Sequence, residues 1–501
     1  MRVQGRALQN QDNSDMVAPM GQCPTTHKAP VQPPQTPRLY PREQDVFMNP
    51  ELLARYDGIR VPRYTSYPTA PHFNGAVDAG QYRQWLSGLA VDTPVSLYLH
   101  IPFCESMCWY CGCHTKVVAR YQPVAEYLEQ LRREIDLVAT LVPGRLRVGH
   151  LHWGGGTPNM VAPDDFSAVM ATLRSRFELT GDAEIAVEID PRTLTPGHVR
   201  AMAGAGVNRA SLGVQDFDPA VQRAVNRLQP YETTAGAVAW LHAAGITALN
   251  FDLMYGLPGQ TVAGCRDTAE RALGLRPDRL AVFGYAHVPW MKTHQRRIDE
   301  AALPDGPTRW RQFAAIAGAL TGAGFEPIGL DHFAAPGDEL AVARRAGRLR
   351  RNFQGYTPDA SPVLIGFGAS AIGALPQGYV QNAPDFHRYA EAVTAGGLAV
   401  TRGLVLSADD RLRRDLIERL MSDLAVDLGQ LAARHGVETG HFDDELEKLE
   451  ALAADGVVQR DGLRLTIPEA ARPLVRVVAA VFDPYLATSQ QNGTARHSRA
   501  V

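Results

Sequence analysis

The 501 residues carry 50 Lys and Arg against 53 Asp and Glu, a net charge of −3, which argues against a chain built to coat nucleic acid or an anionic membrane. With 45% hydrophobic and 21% charged side chains a substantial core is available, and the length exceeds one ordinary domain. No apolar run reaches the roughly 18 residues of a membrane helix, the N-terminus lacks the apolar stretch of a secretory signal, and six cysteines do not make a disulfide scaffold at this length, so a reducing cytoplasm is the expected compartment.

Residues 1–45 are rich in Pro, Gln and Asn, as in Ala29-Pro30-Val31-Gln32-Pro33-Pro34, and are expected to form a disordered tail. A leading segment, 46–95, contains Pro62-Arg63-Tyr64-Thr65-Ser66-Tyr67-Pro68-Thr69, which read alone is a surface loop. From residue 96 apolar runs alternate with amphipathic stretches. Strands are predicted at 96–103, 148–154, 183–190, 209–215, 248–255 and 279–287. Helices are predicted around Val124–Val138 and at 163–177, 195–204, 232–244 and 261–274. Six such units imply an α/β fold with a parallel sheet and right-handed crossovers. Further strands are expected near 326–331 and 363–367, and the unit is taken to span 96–400.

A smaller module is expected over 401–486. Ser407 can cap a helix with Leu412, Leu416, Ile417, Leu420 and Leu424 on one face, another helix fits 444–454, and 457–466 reads as a hairpin turning at Asp461-Gly462. Helices followed by a hairpin suggest a winged-helix-like shape, but the helices are not strongly basic and a structural role is preferred to DNA binding. Residues 487–501 are expected to be a second disordered tail.

The first predicted strand runs into Cys104-Glu105-Ser106-Met107-Cys108-Trp109-Tyr110-Cys111-Gly112-Cys113. Three thiolates at C-x3-C-x2-C spacing can hold three irons of a [4Fe–4S] cluster and leave the fourth iron open. A zinc site would need a second cysteine pair, which is lacking, and His114 follows Cys113 too closely for a tetrahedron. Cys23, in the polar tail, and Cys265, in a helical pattern, are expected to be bystanders. At the strand ends lie Gly154-Gly155-Gly156-Thr157-Pro158, Glu188 beside Asp190, Gln215-Asp216, and Asp252, with Arg227 in the connection that follows Gln215. A glycine run admits a ligand close to the backbone, and polar groups recurring at the ends of parallel strands suit an active site in barrel geometry. Gly366-Phe367-Gly368 lacks the third glycine position of a dinucleotide fingerprint.

The C-x3-C-x2-C loop after a strand resembles the signature of radical S-adenosylmethionine (SAM) enzymes. The longer string Tyr98-Leu99-His100-Ile101-Pro102-Phe103-Cys104, continued through Tyr110-Cys111-Gly112-Cys113, resembles the oxygen-independent coproporphyrinogen III oxidases, as does the RYTSYPTA segment from Arg63. The resemblance runs from about Tyr56 to about Leu486. It implies a (β/α)6 three-quarter barrel with extra strands, a [4Fe–4S] cluster on Cys104, Cys108 and Cys111, and SAM, of which the family can bind two molecules. Tyr98, Gly155, Glu188, Ala286 and Ile372 match contacts to one SAM. Tyr110, Gly156, Thr157, Gln215, Arg227 and Asp252 match contacts to the second, with Tyr110 standing where phenylalanine is the family's alternative.

The implied reaction starts with a 5′-deoxyadenosyl radical that takes hydrogen from a propionate carbon. Loss of CO2 and an electron then leaves a vinyl group. Done twice, this converts coproporphyrinogen III to protoporphyrinogen IX. A reduced donor such as flavodoxin or ferredoxin, a monomeric state, and no nucleic-acid or membrane partner are expected. Cys113 is the expected substrate-side thiol, not a cluster ligand, and Arg63, Arg296 and Arg297 are candidate carboxylate partners. The rival is a haem-binding chaperone on the same barrel, whose pattern lacks Cys113 and the RYTSYPTA segment; a radical enzyme of other substrate is the third reading.

Overall fold

The structure, a computed structural model, describes residues 55, 56 and 58–486; both expected tails, and Cys23 with the first, lie outside the described residues. Twelve strands build the main sheet: β1 (Val95–Ile101), β2 (Arg147–Gly155), β3 (Glu178–Ile189), β4 (Arg209–Gln215), β5 (Ala248–Tyr255), β6 (Arg279–Gly284), β7 (Glu326–Ile328), β8 (His332–Ala334), β9 (Val363–Phe367), β10 (Ile372–Leu375), β11 (Gly378–Asn382) and β12 (Val400–Val405). Their order is β12-β11-β10-β9-β1-β2-β3-β4-β5-β6-β8-β7. The run β1 to β6 is parallel, as the alternating pattern requires, and the sheet stays open, since its two ends do not pair. The strand expected at 363–367 joins as a seventh parallel member beside β1, and antiparallel strands extend both edges.

The crossover helices are α1 (Gln122–Leu141), α2 (Pro163–Arg176), α3 (Pro196–Gly204), α4 (Tyr231–Ala243), α5 (Val262–Gly274) and α6 (Gly306–Gly322). Helix α1 begins with proline in its first turn, where the missing N–H costs nothing. It buries Val124, Tyr127, Leu128, Leu131, Ile135 and Val138, one stripe at three- and four-residue spacing.

The parity of the strands positions the site. Side chains alternate across a sheet, and here one parity is apolar: Leu97 and Leu99, Leu151 and Trp153, Ile185 and Val187, Ala210 and Leu212, Leu249 and Phe251 are all buried in the core. The other parity carries Tyr98, His100, His152, Glu188, Ser211, Asn250 and Asp252, all on the inner face of the partial barrel. Polar groups are thus placed inside by the same alternation that builds the core outside.

After β12, Ser407 caps a helix (α7, Ala408–Asp423) through a capping box with Asp410, and Leu412, Leu416, Ile417 and Leu420 are buried. A three-stranded sheet, Ala425–Asp427, Arg464–Thr466 and Gln459–Asp461 in that order, completes this mostly helical region. The hairpin turn is Gly462-Leu463, one residue later than expected, since Asp461 pairs with Arg464 and Gly462 takes the left-handed φ of 59°. The predicted helix at 444–454 is two short ones, Asp443–Lys448 and Glu450–Ala454. Among the described residues no helix is long and apolar enough to cross a membrane.

Candidate active site

The cysteine loop leaves the C-terminal end of β1 and is fastened from three directions. Its own backbone turns through Cys111 N–H to Cys108 O (3.1 Å). The loop before Arg227 holds it through Trp109 N–H to Val225 O (2.9 Å) and Asn226 Nδ2 to Met107 O (2.8 Å). The segment after β6 holds it a third time: Gln295 Nε2 donates to Tyr110 O (3.1 Å), His294 Nε2 to Cys111 O (2.8 Å) and Lys292 Nζ to Cys113 O (3.0 Å).

Each of the three expected ligand sulfurs has donors aimed at it. Thr115 and Thr157 hydroxyls lie 3.2 and 3.3 Å from Cys104 Sγ. Arg227 and Arg192 guanidiniums lie 3.5 and 3.6 Å from Cys108 Sγ. The Cys113 N–H is 3.3 Å from Cys111 Sγ. Burial pushes the Cys104 thiol up, while hydrogen bonding from Cys113 brings Cys111 down to about 7. Burial opposes the charge on Arg227, but Tyr110, Asp190 and Cys108 hold it protonated. A buried arginine on one sulfur, with a second beside it, suits sulfurs that carry negative charge. Among the described residues no three His, Cys, Asp or Glu converge as ligands of a single ion. A cubane asks for something else: each thiolate binds a different corner, so the sulfurs need to ring a space and not meet at a point. The donor set therefore fits an iron–sulfur cluster better than a lone metal.

The strand ends beside the loop carry the remaining expected residues. Gly155, at φ 115°, could not be replaced without strain, because a Cβ there would fall 2.7 Å from the His100 ring; a Cβ on Gly156 would fall 2.7 Å from Phe103 O. Glu188 accepts from Gly155 N–H and His152 Nε2, both at 3.0 Å. Burial disfavours its charge, but His152 and that N–H outweigh burial and lower its pKa. Tyr98 stacks on His152 and bonds His100 Nδ1 at 3.0 Å. Across β9, Gly366 pairs with Tyr98, and Ile372 O would lie 2.6 Å from a Cβ on Gly366, so Ile372 sits in line with Tyr98. Ala286 follows β6, and its carbonyl accepts from the same Gln295 that holds Tyr110 (3.3 Å).

Arg227 also donates to Gly213 O (2.7 Å) and pairs with Asp190 (3.3 Å). Gln215 ends β4 at φ 68°, a conformation uncommon outside glycine and concentrated at functional sites. Asp252 is opposite Gly213, bonded by Asn250 (2.9 Å) and Ser211 (3.4 Å); burial and then the Glu188 charge raise its pKa to about 6. Thus the eleven expected binding residues and three expected ligands gather at one end of the barrel. Arg63 lines a cavity next to Ala286, whereas the exposed Arg296 and Arg297 do not. Sequence reading missed Arg192, Thr115, His152 and the clamp at 292–295; only the alternation of His150 and His152 along β2 hinted at an inward histidine.

A partial barrel carrying a C-x3-C-x2-C loop at its strand ends is the architecture of the radical SAM superfamily, and that superfamily's model matches residues 98–272. The chain is 56% identical over 454 residues to the oxygen-independent coproporphyrinogen III oxidase of Bradyrhizobium diazoefficiens, covering 91% of this chain and 100% of that one. It is 40% identical over 446 residues to the enzyme of the same name from Salmonella typhimurium, covering 89% and 97%. The solved coproporphyrinogen III oxidase of Escherichia coli, a radical SAM enzyme, superposes with a TM-score of 0.81 at 38% identity, covering 85% of this chain and 100% of that one. The chain belongs to the oxygen-independent coproporphyrinogen III oxidases. Membership in the superfamily implies a [4Fe–4S] cluster and SAM as the cofactor system.

Proposed function

We propose that the chain oxidatively decarboxylates two propionate side chains of coproporphyrinogen III to vinyl groups without oxygen, giving protoporphyrinogen IX. The reading is carried by one juxtaposition, the C-x3-C-x2-C loop meeting Arg227 at the barrel mouth with Glu188 on the neighbouring Gly155 N–H, in a chain 56% identical to such an oxidase over that oxidase's whole length. Cys104, Cys108 and Cys111 would hold the cluster. When bound, cluster and SAM together supply a radical able to take hydrogen from an unactivated carbon, chemistry that no side chain provides.

The protein's part is binding, orientation and exclusion of water. Glu188, kept ionised, offers carboxylate oxygens to an ammonium or ribose hydroxyl; with Tyr98, Gly155, Ala286 and Ile372 it forms the site of one SAM. Tyr110, Gly156, Thr157, Gln215, Arg227 and Asp252 form the site of a second. Cys113 is exposed at the end of the loop, and its proposed part is that of a substrate-side thiol. An electron enters from a small reduced protein of the flavodoxin or ferredoxin kind, and the chain works as a cytoplasmic monomer. Nothing in this chemistry calls for a nucleic-acid or membrane partner. The test is anaerobic incubation of cluster-loaded protein with SAM, reductant and coproporphyrinogen III. Vinyl-porphyrin formation is expected. Intact SAM cleavage with no vinyl product would overturn the reading, and haem binding without turnover would favour a chaperone.

A further inference from the structure

A cavity of about 450 Å3 opens beside Ala286, at the ends of β5 and β6. Five arginines line it, Arg60, Arg63, Arg309, Arg351 and Arg476, against three carboxylates, Glu300, Asp305 and Asp331. Each carboxylate has a hydrogen-bond partner of its own, and the Asp331 charge also acts on Arg63, Arg351 and Arg476. Asp331 takes a hydrogen bond from His332 (2.8 Å), Glu300 from His287 (2.9 Å), and Asp305 caps α6 through Thr308 N–H (2.8 Å). Backbone carbonyls orient three of the arginines: Arg63 donates to Gly284 O (2.9 Å), Arg309 to Tyr285 O (2.9 Å), Arg351 to Tyr64 O (3.2 Å). A carbonyl orients a guanidinium but does not neutralise it. Nη1 of Arg351 is buried with no hydrogen-bond partner. Burial, and then Arg63, bring Arg476 down to about 10.

Five guanidiniums against three carboxylates leave surplus positive charge in a partly buried cavity, a setting that favours a bound anion. Guanidiniums match carboxylates bidentately, and Tyr255, Trp290 and Phe313 provide flat apolar walls. Gln295 bridges Ala286 O and Tyr110 O, so the wall of this cavity is tied to the cysteine loop.

We propose that this cavity seats the propionate carboxylates of the macrocycle that are not reacting, with Arg63, Arg351 and Arg476 as their cationic partners. The assignment rests on the functional reading above, since only a substrate with several carboxylates can leave some anchored while another reacts.

The other source of a carboxylate here is the methionine end of SAM, and the experiment separates the two. Cluster-loaded protein is titrated anaerobically with coproporphyrin III, the fluorescent oxidised macrocycle, with its tetramethyl ester, and with labelled SAM. The ester should bind at least about tenfold more weakly than the tetra-acid. Arg63→Gln and Arg476→Gln should each weaken the tetra-acid about tenfold, the range of a lost charged hydrogen bond. Arg63→Lys should recover part of that loss, and SAM affinity should stay within about twofold. Arg63 is exposed, so its variants keep the fold testable if Arg476→Gln does not. Equal binding of acid and ester, or wild-type affinity in both glutamine variants, would overturn the assignment. So would a loss of SAM affinity with macrocycle binding unchanged. Wild-type protein that neither binds the macrocycle nor forms vinyl product would overturn the functional reading itself.

Discussion

Asp252 and Cys113 show how far one residue's surroundings fix its part. Asp252 is a half-buried acid held by Asn250 and Ser211, and its pKa stands at about 6. It is therefore neutral at pH 5 and ionised at pH 7.5. If its carboxylate binds SAM, kcat/KM, which reports free-enzyme groups, should fall as pH drops through about 6, and Asp252→Asn should lose that limb while keeping its iron content. Cys113 follows Cys111 by two residues and gives that sulfur a backbone N–H. A loop tied to a cluster through Cys104, Cys108 and Cys111 would leave it outside that cluster. Cys113→Ser should keep cluster absorbance and reductive SAM cleavage yet lose most vinyl formation; conversion equal to wild type would remove it from the active site. Both positions were legible in the sequence, because strand ends and cysteine spacing are local features. The partners of Cys108 were not, since Arg192 and Arg227 reach it from loops 84 and 119 residues away.

At the scale of elements, period-two and helical patterns found all six parallel strands β1 to β6 and five of the six crossover helices, because a strand buried against helices must alternate in this way, while α6 went unpredicted. The strands at 372–405 escaped. They are short, rich in glycine, and stabilised by edge pairing more than by a pattern of their own. What fastens them to α1 is also invisible to periodicity. Glu134, on the buried stripe of α1, accepts from Gly368 N–H (2.7 Å), Tyr389 Oη (2.7 Å) and Asn382 Nδ2 (2.6 Å). Burial raises its pKa from 4.5 to about 7 despite these three donors. An acid whose folded pKa is raised binds more protons when native, so its stabilising effect is full below 4.5 and is lost as pH rises to 7. That span corresponds to about 3 kcal/mol. Glu134→Gln cannot titrate. The stability advantage of wild type over this variant should therefore shrink by up to ~3 kcal/mol between pH 4.5 and 7, read from denaturant midpoints at each pH. A constant difference across that range would mean that Glu134 is ionised throughout.

Over the whole molecule the leading segment ties distant parts together. Tyr56 Oη donates to Asp455 (2.7 Å) and Arg55 pairs with the same carboxylate, in the helical region. Tyr64 Oη donates to Asp483 (2.9 Å), and Tyr379 of β11 donates to Tyr67 O (3.0 Å). Between these anchors Arg351 holds the carbonyls of Arg63 and Tyr64, which presents Arg63 to the cavity. Tyr64 is itself buried at φ 48°, a conformation that persists only where contacts hold it. Tyr64→Phe removes a donor from a buried carboxylate and should cost about 1–3 kcal/mol. Burial already raises the pKa of Asp483, and losing Tyr64 Oη raises it further, so the penalty falls on the ionised form and should be larger at pH 8 than at pH 5. The cluster loop and the strand ends make none of these contacts. If the segment serves to place Arg63, the variant should raise KM for coproporphyrinogen III more than it lowers kcat, with SAM cleavage per iron unchanged. A fall in kcat alone would show that the segment acts on the chemical step, and an unchanged KM would separate the strap from substrate binding.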